Sequence, residues 1–112
     1  MNHLIEINEK QADLFKALGH PTRLILLKAL TDSEKCVCEL QPLIGDKLPT
    51  ISRHLAVLKE NGIVSCRKQG LQVFYRLEMQ CLKSLLNCSE SFLLNRLTGM
   101  AVHSTCNDCK KE

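Results

Sequence analysis

Tryptophan is absent from this chain, and one tyrosine and three phenylalanines are its only large aromatic rings in 112 residues. A core without such rings must come from Leu, Ile, Val and Ala, which favours short packed helices over a β-sandwich. Long apolar runs are also missing. The longest, Leu24 to Leu27, falls far short of the roughly 20 residues of a membrane-spanning helix. Glu6 and Glu9 stand where a secretory signal needs an apolar stretch. The expectation is a soluble, cytoplasmic protein with no membrane partner. There is no Gly-rich phosphate loop, no set of nucleophile, base and orienting residue, and no βαβ context around a Cys-x-x-Cys. These absences argue against an enzyme, a small dithiol oxidoreductase included. No internal repeat or low-complexity segment interrupts a length that suits one domain.

Cysteine, by contrast, is plentiful at seven. The odd number and the missing secretory signal disfavour a disulfide framework, so reduced thiols are expected. Two pairs, Cys36-Val-Cys38 and Cys106-Asn-Asp-Cys109, invite a soft metal or metalloid. Cys66 reads as a small apolar residue of a strand, and Cys81 and Cys88 as neighbours on one helix face. The net charge is only +3, but it is unevenly spread. Lys47, Arg53, Lys59, Arg67, Lys68 and Arg76 meet only Asp46 and Glu60 across residues 46–76, as a polyanion-binding surface requires.

That basic region contains the stretch around which the chain is organised, Asp46 to Gly62. Pro49 suits a first helical position and Gly62 a left-handed stop. Ile51, Leu55 and Leu58 recur at helical spacing, while Thr50, Ser52, Arg53, His54 and Lys59 decorate the other positions. Upstream, one helix is predicted from Leu4 to Leu18, stopped by Gly19. A second, nearly buried, runs from Pro21 to about Thr31 with Leu24, Ile25, Leu27 and Leu30. A short third spans Cys36 to Ile44 and ends at Gly45. Downstream, Ile63–Arg67 and Gln72–Leu77 read as strands joined by a turn at Lys68–Leu71, and a last helix follows from Glu78 to about Met100. Two helices with a tight Gly-containing link, the second polar in its first turn, match a helix-turn-helix. The predicted fold is mainly α with a small β-hairpin. Residues 1–100 are expected to form one DNA-binding and dimerisation domain, and residues 101–112 a flexible Cys-containing tail.

The run Ala17-Leu-Gly-His-Pro-Thr-Arg-Leu, then Cys36-Val-Cys-Glu-Leu, Thr50-Ile-Ser-Arg-His-Leu, Gly62-Ile-Val and Gly70 to Tyr75 resembles the ArsR/SmtB family of metal-sensing repressors. The resemblance covers about residues 12–78. It implies a winged-helix homodimer that binds an operator when ligand-free and leaves it when a toxic metal binds. Within the family, Cys-Val-Cys followed by an acidic residue and Leu is similar to the thiolate motif of arsenite- and cadmium/lead-responsive members.

On DNA, the readers expected at the start of the fourth helix are Thr50, Ser52, Arg53 and His54, with His54 equally able to pack inside the protein. Leu48 stands where the family often has Gln. Lys47 and Lys59 add positive charge, and Arg67, Lys68 and Gln69 on the wing should touch phosphate or the minor groove. A dimer presents two such helices about one DNA turn apart, roughly 34 Å, so the operator is expected to be an imperfect palindrome. The apolar stripes of the terminal helices are the expected dimer surfaces.

For sensing, residues two apart on a regular helix diverge by about 200°. Cys36 and Cys38 can therefore share one ion only at the frayed start of the third helix, or if binding unwinds it. Trivalent arsenic takes three thiolates. The resemblance would place the third three residues after Cys38, but Gln41 stands there. Cys106 and Cys109 are the expected substitutes, from the same or the partner subunit. The inducer expected is As(III) or Sb(III). Cd(II), Pb(II) or Zn(II) is the alternative if four thiolates join. The N-terminal arm offers only His3 where cadmium-type sensors add cysteines, and the last helix lacks the patterns of the family's zinc and nickel sites. A rival reading in the same fold is a thiol redox switch in which Cys36, Cys38, Cys106 and Cys109 form disulfides.

Overall fold

In the computed structural model, which describes residues 2–99, five helices and three short strands follow one another. They are α1 (Asn2–Leu18), α2 (Pro21–Leu30), β1 (Lys35–Cys36), α3 (Val37–Ile44), α4 (Leu48–Glu60), β2 (Val64–Gln69), β3 (Gln72–Leu77) and α5 (Leu82–Thr98). Two compact units emerge, one through Gln80 and one from Cys81. The first unit holds the helix-turn-helix and the wing.

Its core is aliphatic, and no polar or charged side chain is buried among the described residues. Leu26, Leu27 and Leu30 of α2, Leu40 of α3, Ile51, Leu55 and Leu58 of α4, and Ile63, Val64 and Leu77 around the hairpin make it. Helix α2 touches α1, α3, α4 and β3, which is the central strut its apolar density predicts. Its burial is less complete than expected, because Ile25 is exposed and Leu24 only half-buried. On a helix this apolar, one face still turns away from the three helices and the strand it serves.

The N-terminus of α2 is set locally. His20 takes the cap position, its Nδ1 accepting from the Thr22 N–H at 3.1 Å, and Pro21 follows where a missing N–H leaves no bond unmade. Helix α4 ends as its sequence predicts. Gly62, at φ 72°, lets its own N–H reach Lys59 O and the Ile63 N–H reach Leu58 O, both at 3.0 Å. This double closure turns the chain sharply out of the helix and into the wing.

Three differences from expectation arise from long-range pairing. The hairpin is not isolated: β1 lies antiparallel to β3, giving a sheet in the order β1-β3-β2 with Lys35 opposite Tyr75 and Cys36 opposite Phe74. Cys36 is therefore extended, at φ −83° and ψ 165°, and caps α3 instead of starting it. Helix α5 begins at Leu82, not Glu78, because the Glu78 and Met79 N–H groups both turn to Ile63 O. The predicted tail with Cys106 and Cys109 lies outside the described residues.

Candidate nucleic-acid interface and cysteine site

Helix α4 buries Ile51, Leu55 and Leu58 and leaves Ser52 and Arg53 exposed, with Thr50 half-buried. Lys47 precedes the first turn in extended conformation and gives it no side-chain cap. Pro49 has no N–H and the Thr50 N–H turns back to Lys47 O at 3.1 Å, so it is the positive end of the helix dipole that favours a phosphate there. Lys47, Arg53, Lys59 and Lys68 are exposed and form no ion pair among the described residues. Two other cations of the basic region are engaged by acids. Arg67 binds Glu34 through Nη2 at 2.6 Å and through Nε at 3.0 and 3.1 Å, and Arg76 binds Glu78 at 3.0 Å. Within residues 46–76, the cations without an acid partner are thus those at the start of α4, along it and at the wing tip.

Arg67 does more than pair. Its Nη1 donates to Gln69 Oε1 at 2.5 Å, and its guanidinium lies 4.9 Å from the Phe74 ring centre. Both wing residues expected to meet DNA beside Lys68 are therefore held by the protein's own contacts. The pairing keeps the Glu34 carboxyl below its ordinary range, chiefly through the hydrogen bond from Arg67.

His54 is turned toward α2. Its Nδ1 accepts from Arg23 Nε at 3.1 Å, which assigns the neutral tautomer with its proton on Nε2, and its ring centre lies 4.5 Å from that of His20. Burial, with His20 and Arg23 nearby, pushes the His54 pKa down. Arg23 also donates through Nη1 to Ala17 O at 3.2 Å, tying the end of α1 to α2 and α4. No local pattern identifies Arg23 as such a tie, since its partners are 6 and 31 residues away.

The cysteine site forms where β1 meets α3. Cys36 is buried, 3% exposed, and Cys38 is exposed one position into the first turn. Because Cys36 is not helical, the divergence of a regular helix does not apply and the two sulfurs converge. They are joined as a disulfide with Cα atoms 5.3 Å apart. At this pair the expectation of reduced thiols is not met, and of the remaining described cysteines Cys66, Cys81 and Cys88 are free. The Cys36 N–H donates to Glu39 Oε1 at 2.9 Å, so the acidic residue of the motif closes the cap from inside. Pro42 inside α3 supplies no N–H for the carbonyl of Cys38 four residues before it, which weakens the first turn where the sulfurs sit.

As a donor set, two reduced cysteines at this position offer soft sulfur ligands within reach of one ion. No group of three or more His, Cys, Asp or Glu suited to a metal occurs among the described residues. Among the described residues the pair thus supplies two sulfur donors. Through Cys36 opposite Phe74, and Arg67 over Phe74, it is also physically continuous with the wing.

Comparison with known proteins agrees with this geometry. Residues 20–65 match the bacterial regulatory protein, arsR family. The biofilm growth-associated repressor of Xylella fastidiosa is 45% identical over 76 residues, 68% of this chain and 67% of that one. The arsenical resistance operon repressor of Escherichia coli is 48% identical over 65 residues, 57% of this chain and 56% of that one. Among solved structures, the homodimeric winged helix-turn-helix DNA-binding domain Mb0332 of Mycobacterium bovis superimposes with a TM-score of 0.79 at 25% identity, covering 92% of this chain and 95% of that one. None of the described helices is long and apolar enough to cross a membrane. With a helix-turn-helix, a wing and these relatives, the chain belongs to the ArsR/SmtB family of DNA-binding transcriptional repressors.

Proposed function

We propose that this repressor acts in the cytoplasm as a homodimer on an imperfectly palindromic operator, and that trivalent arsenic or antimony releases it by binding Cys36 and Cys38 as thiolates. The observation that carries the reading is the convergence of two sulfurs at the start of α3, the helix that supports α4. The helix dipole there favours the thiolate form once the bond is reduced. Cys106 or Cys109, of the same or the partner subunit, supplies the third sulfur. If both join, four thiolates suit Cd(II), Pb(II) or Zn(II) instead.

Thr50, Ser52 and Arg53 read the major groove, with Lys47, Lys59 and Lys68 on phosphates. His54 serves as a strut against α2, and Arg67 and Gln69 reach DNA only if Glu34 lets go. The dimer is supported by apolar faces left in water on both terminal helices, Leu4, Ile5, Ile7 and Phe15 on α1 and Phe92, Leu93, Leu94 and Leu97 on α5. Residues 1–100 carry DNA binding, dimerisation and the Cys36–Cys38 pair, and residues 101–112 contribute the further sulfur.

A redox switch is the second reading, favoured by the Cys36–Cys38 bond itself. Hydrogen peroxide would take two electrons and two protons from the dithiol, forming the S–S bond and two waters. Fluorescence anisotropy of the reduced chain on its own upstream DNA separates the readings when arsenite, antimonite, cadmium, lead, zinc and peroxide are titrated separately. Release by the trivalent metalloids alone supports the three-sulfur site. Release by the divalent ions points to four thiolates. Release by peroxide, reversed by dithiothreitol without metal, replaces the metalloid reading.

A further inference from the structure

Leu71 is wholly exposed. It occupies the second position of the two-residue turn between β2 and β3, just beyond the last paired residues Gln69 and Gln72. The backbone requirement of that turn falls on Gly70, at φ 65°, and a glycine first is the pattern of turns that match the strand twist. Nothing in the turn calls for an apolar side chain at the next position, where polar residues are usual. A leucine held in water at a hairpin tip adds nothing to the fold.

The tip is carried on a braced arm. Behind it Arg67 is clamped by Glu34, bonded to Gln69 and stacked over Phe74. Around it stand Lys68, exposed and without an ion pair among the described residues, and the exposed amides Gln69 and Gln72. The Lys68 cation, the Gln72 amide and one apolar group on a narrow stiff projection match the minor groove. Its walls are phosphate and deoxyribose, and its floor offers hydrogen-bond acceptors.

Resting on the DNA-binding assignment, we propose that Leu71 enters the minor groove beside the half-site as an apolar wedge and selects A·T over G·C pairs there. The discrimination comes from the guanine 2-amino group, the donor that distinguishes G·C in this groove. Leucine strips water from that donor and returns no acceptor, whereas an A·T floor presents no such donor.

The test uses the full-length chain and a duplex selected from a random library, with A·T pairs under the wing replaced one at a time by G·C or by inosine·C. Inosine·C lacks the 2-amino group. The expected result is about tenfold weaker binding with G·C at one position per half-site, recovery with inosine·C, and equal binding of all three by Leu71→Asn. Because the side chain is fully exposed, Leu71→Asn should melt as the wild type does, and its salt dependence should be unchanged. Lys68→Ala should instead lower the salt slope by about one per site. Inosine·C binding as weakly as G·C, or Leu71→Asn keeping the same preference, overturns the wedge. A chain that selects no sequence at all overturns the DNA-binding reading itself, and the wedge with it.

Discussion

Arg67 and Glu34 join across 33 positions of sequence, with one guanidinium nitrogen 2.6 Å from the carboxylate. The contact places the loop before β1 against the middle of the wing. It also occupies the cation that a basic hairpin would otherwise offer to DNA. Glu34→Gln should therefore strengthen non-specific DNA binding by freeing Arg67 and steepen the logarithmic salt dependence by about one per wing. Filter binding on unrelated duplex DNA between low and moderate salt measures this. An unchanged slope would show that Arg67 stays on Gln69 and Phe74 without its acid. Because Arg67 is exposed and Glu34 only half-buried, melting should move little.

Opposite faces of α4 should respond differently to truncation. Leu55 is fully buried, so Leu55→Ala removes core volume and should destabilise the fold by about 3 kcal/mol. Arg53→Ala, on the exposed face, should leave the melting temperature unchanged and weaken specific binding by about 1–3 kcal/mol, with a smaller loss on random DNA. Equal losses on both DNAs would reassign Arg53 to backbone contact.

Below pH 6.5 the unfolded chain takes up a proton at His54 that the folded chain resists, because the His54 pKa is lowered by burial and by neighbouring His20 and Arg23. Protonation also removes the lone pair that accepts from Arg23. Stability contributed at this site is thus fully present above pH 6.5 and declines as pH falls toward the depressed value. Melting temperatures taken between pH 8 and 5 should drop more for wild type than for His54→Gln. The two-dimensional NMR titration of the His54 ring should have its midpoint on the acid side of 6.5. The carboxyls of Glu34 and Glu78, held low by Arg67 and by Ser65 with Arg76, lose their contributions only below this window.

Cys38 is exposed while Cys36 is buried opposite Phe74, so the two are not equivalent targets. Cys38→Ser should fold normally, keep its affinity for the operator and lose its response to inducer. A normal response would move sensing to other cysteines. Reducing the wild-type bond should alter stability by less than about 2 kcal/mol, because the ring it closes is so short. Chemical denaturation with and without dithiothreitol compares the two states.

Much of this architecture is legible in local pattern. The limits of α4 follow from Pro49 and Gly62, and the hairpin from its strands around Gly70, because caps and turns depend on residues only a few positions apart. The start of α5 is not legible in this way, because Glu78 and Met79 are drawn to Ile63, far back along the chain. Strand β1 escapes local pattern too, as two residues carry no periodicity of their own.

Alone, the sequence determined which residues could bind what: a polar first turn on an amphipathic helix, a basic hairpin, and a pair of soft sulfur donors. Side-chain chemistry and helical period are properties of short segments, so they need no fold to be read. Tertiary structure decided which of those groups are available. It turned His54 onto Arg23 and His20, took Arg67 out of circulation with Glu34, and extended Cys36 along β3 so that its sulfur meets that of Cys38. Each of these outcomes depends on distances between distant parts of the chain, and packing of the aliphatic core sets those distances.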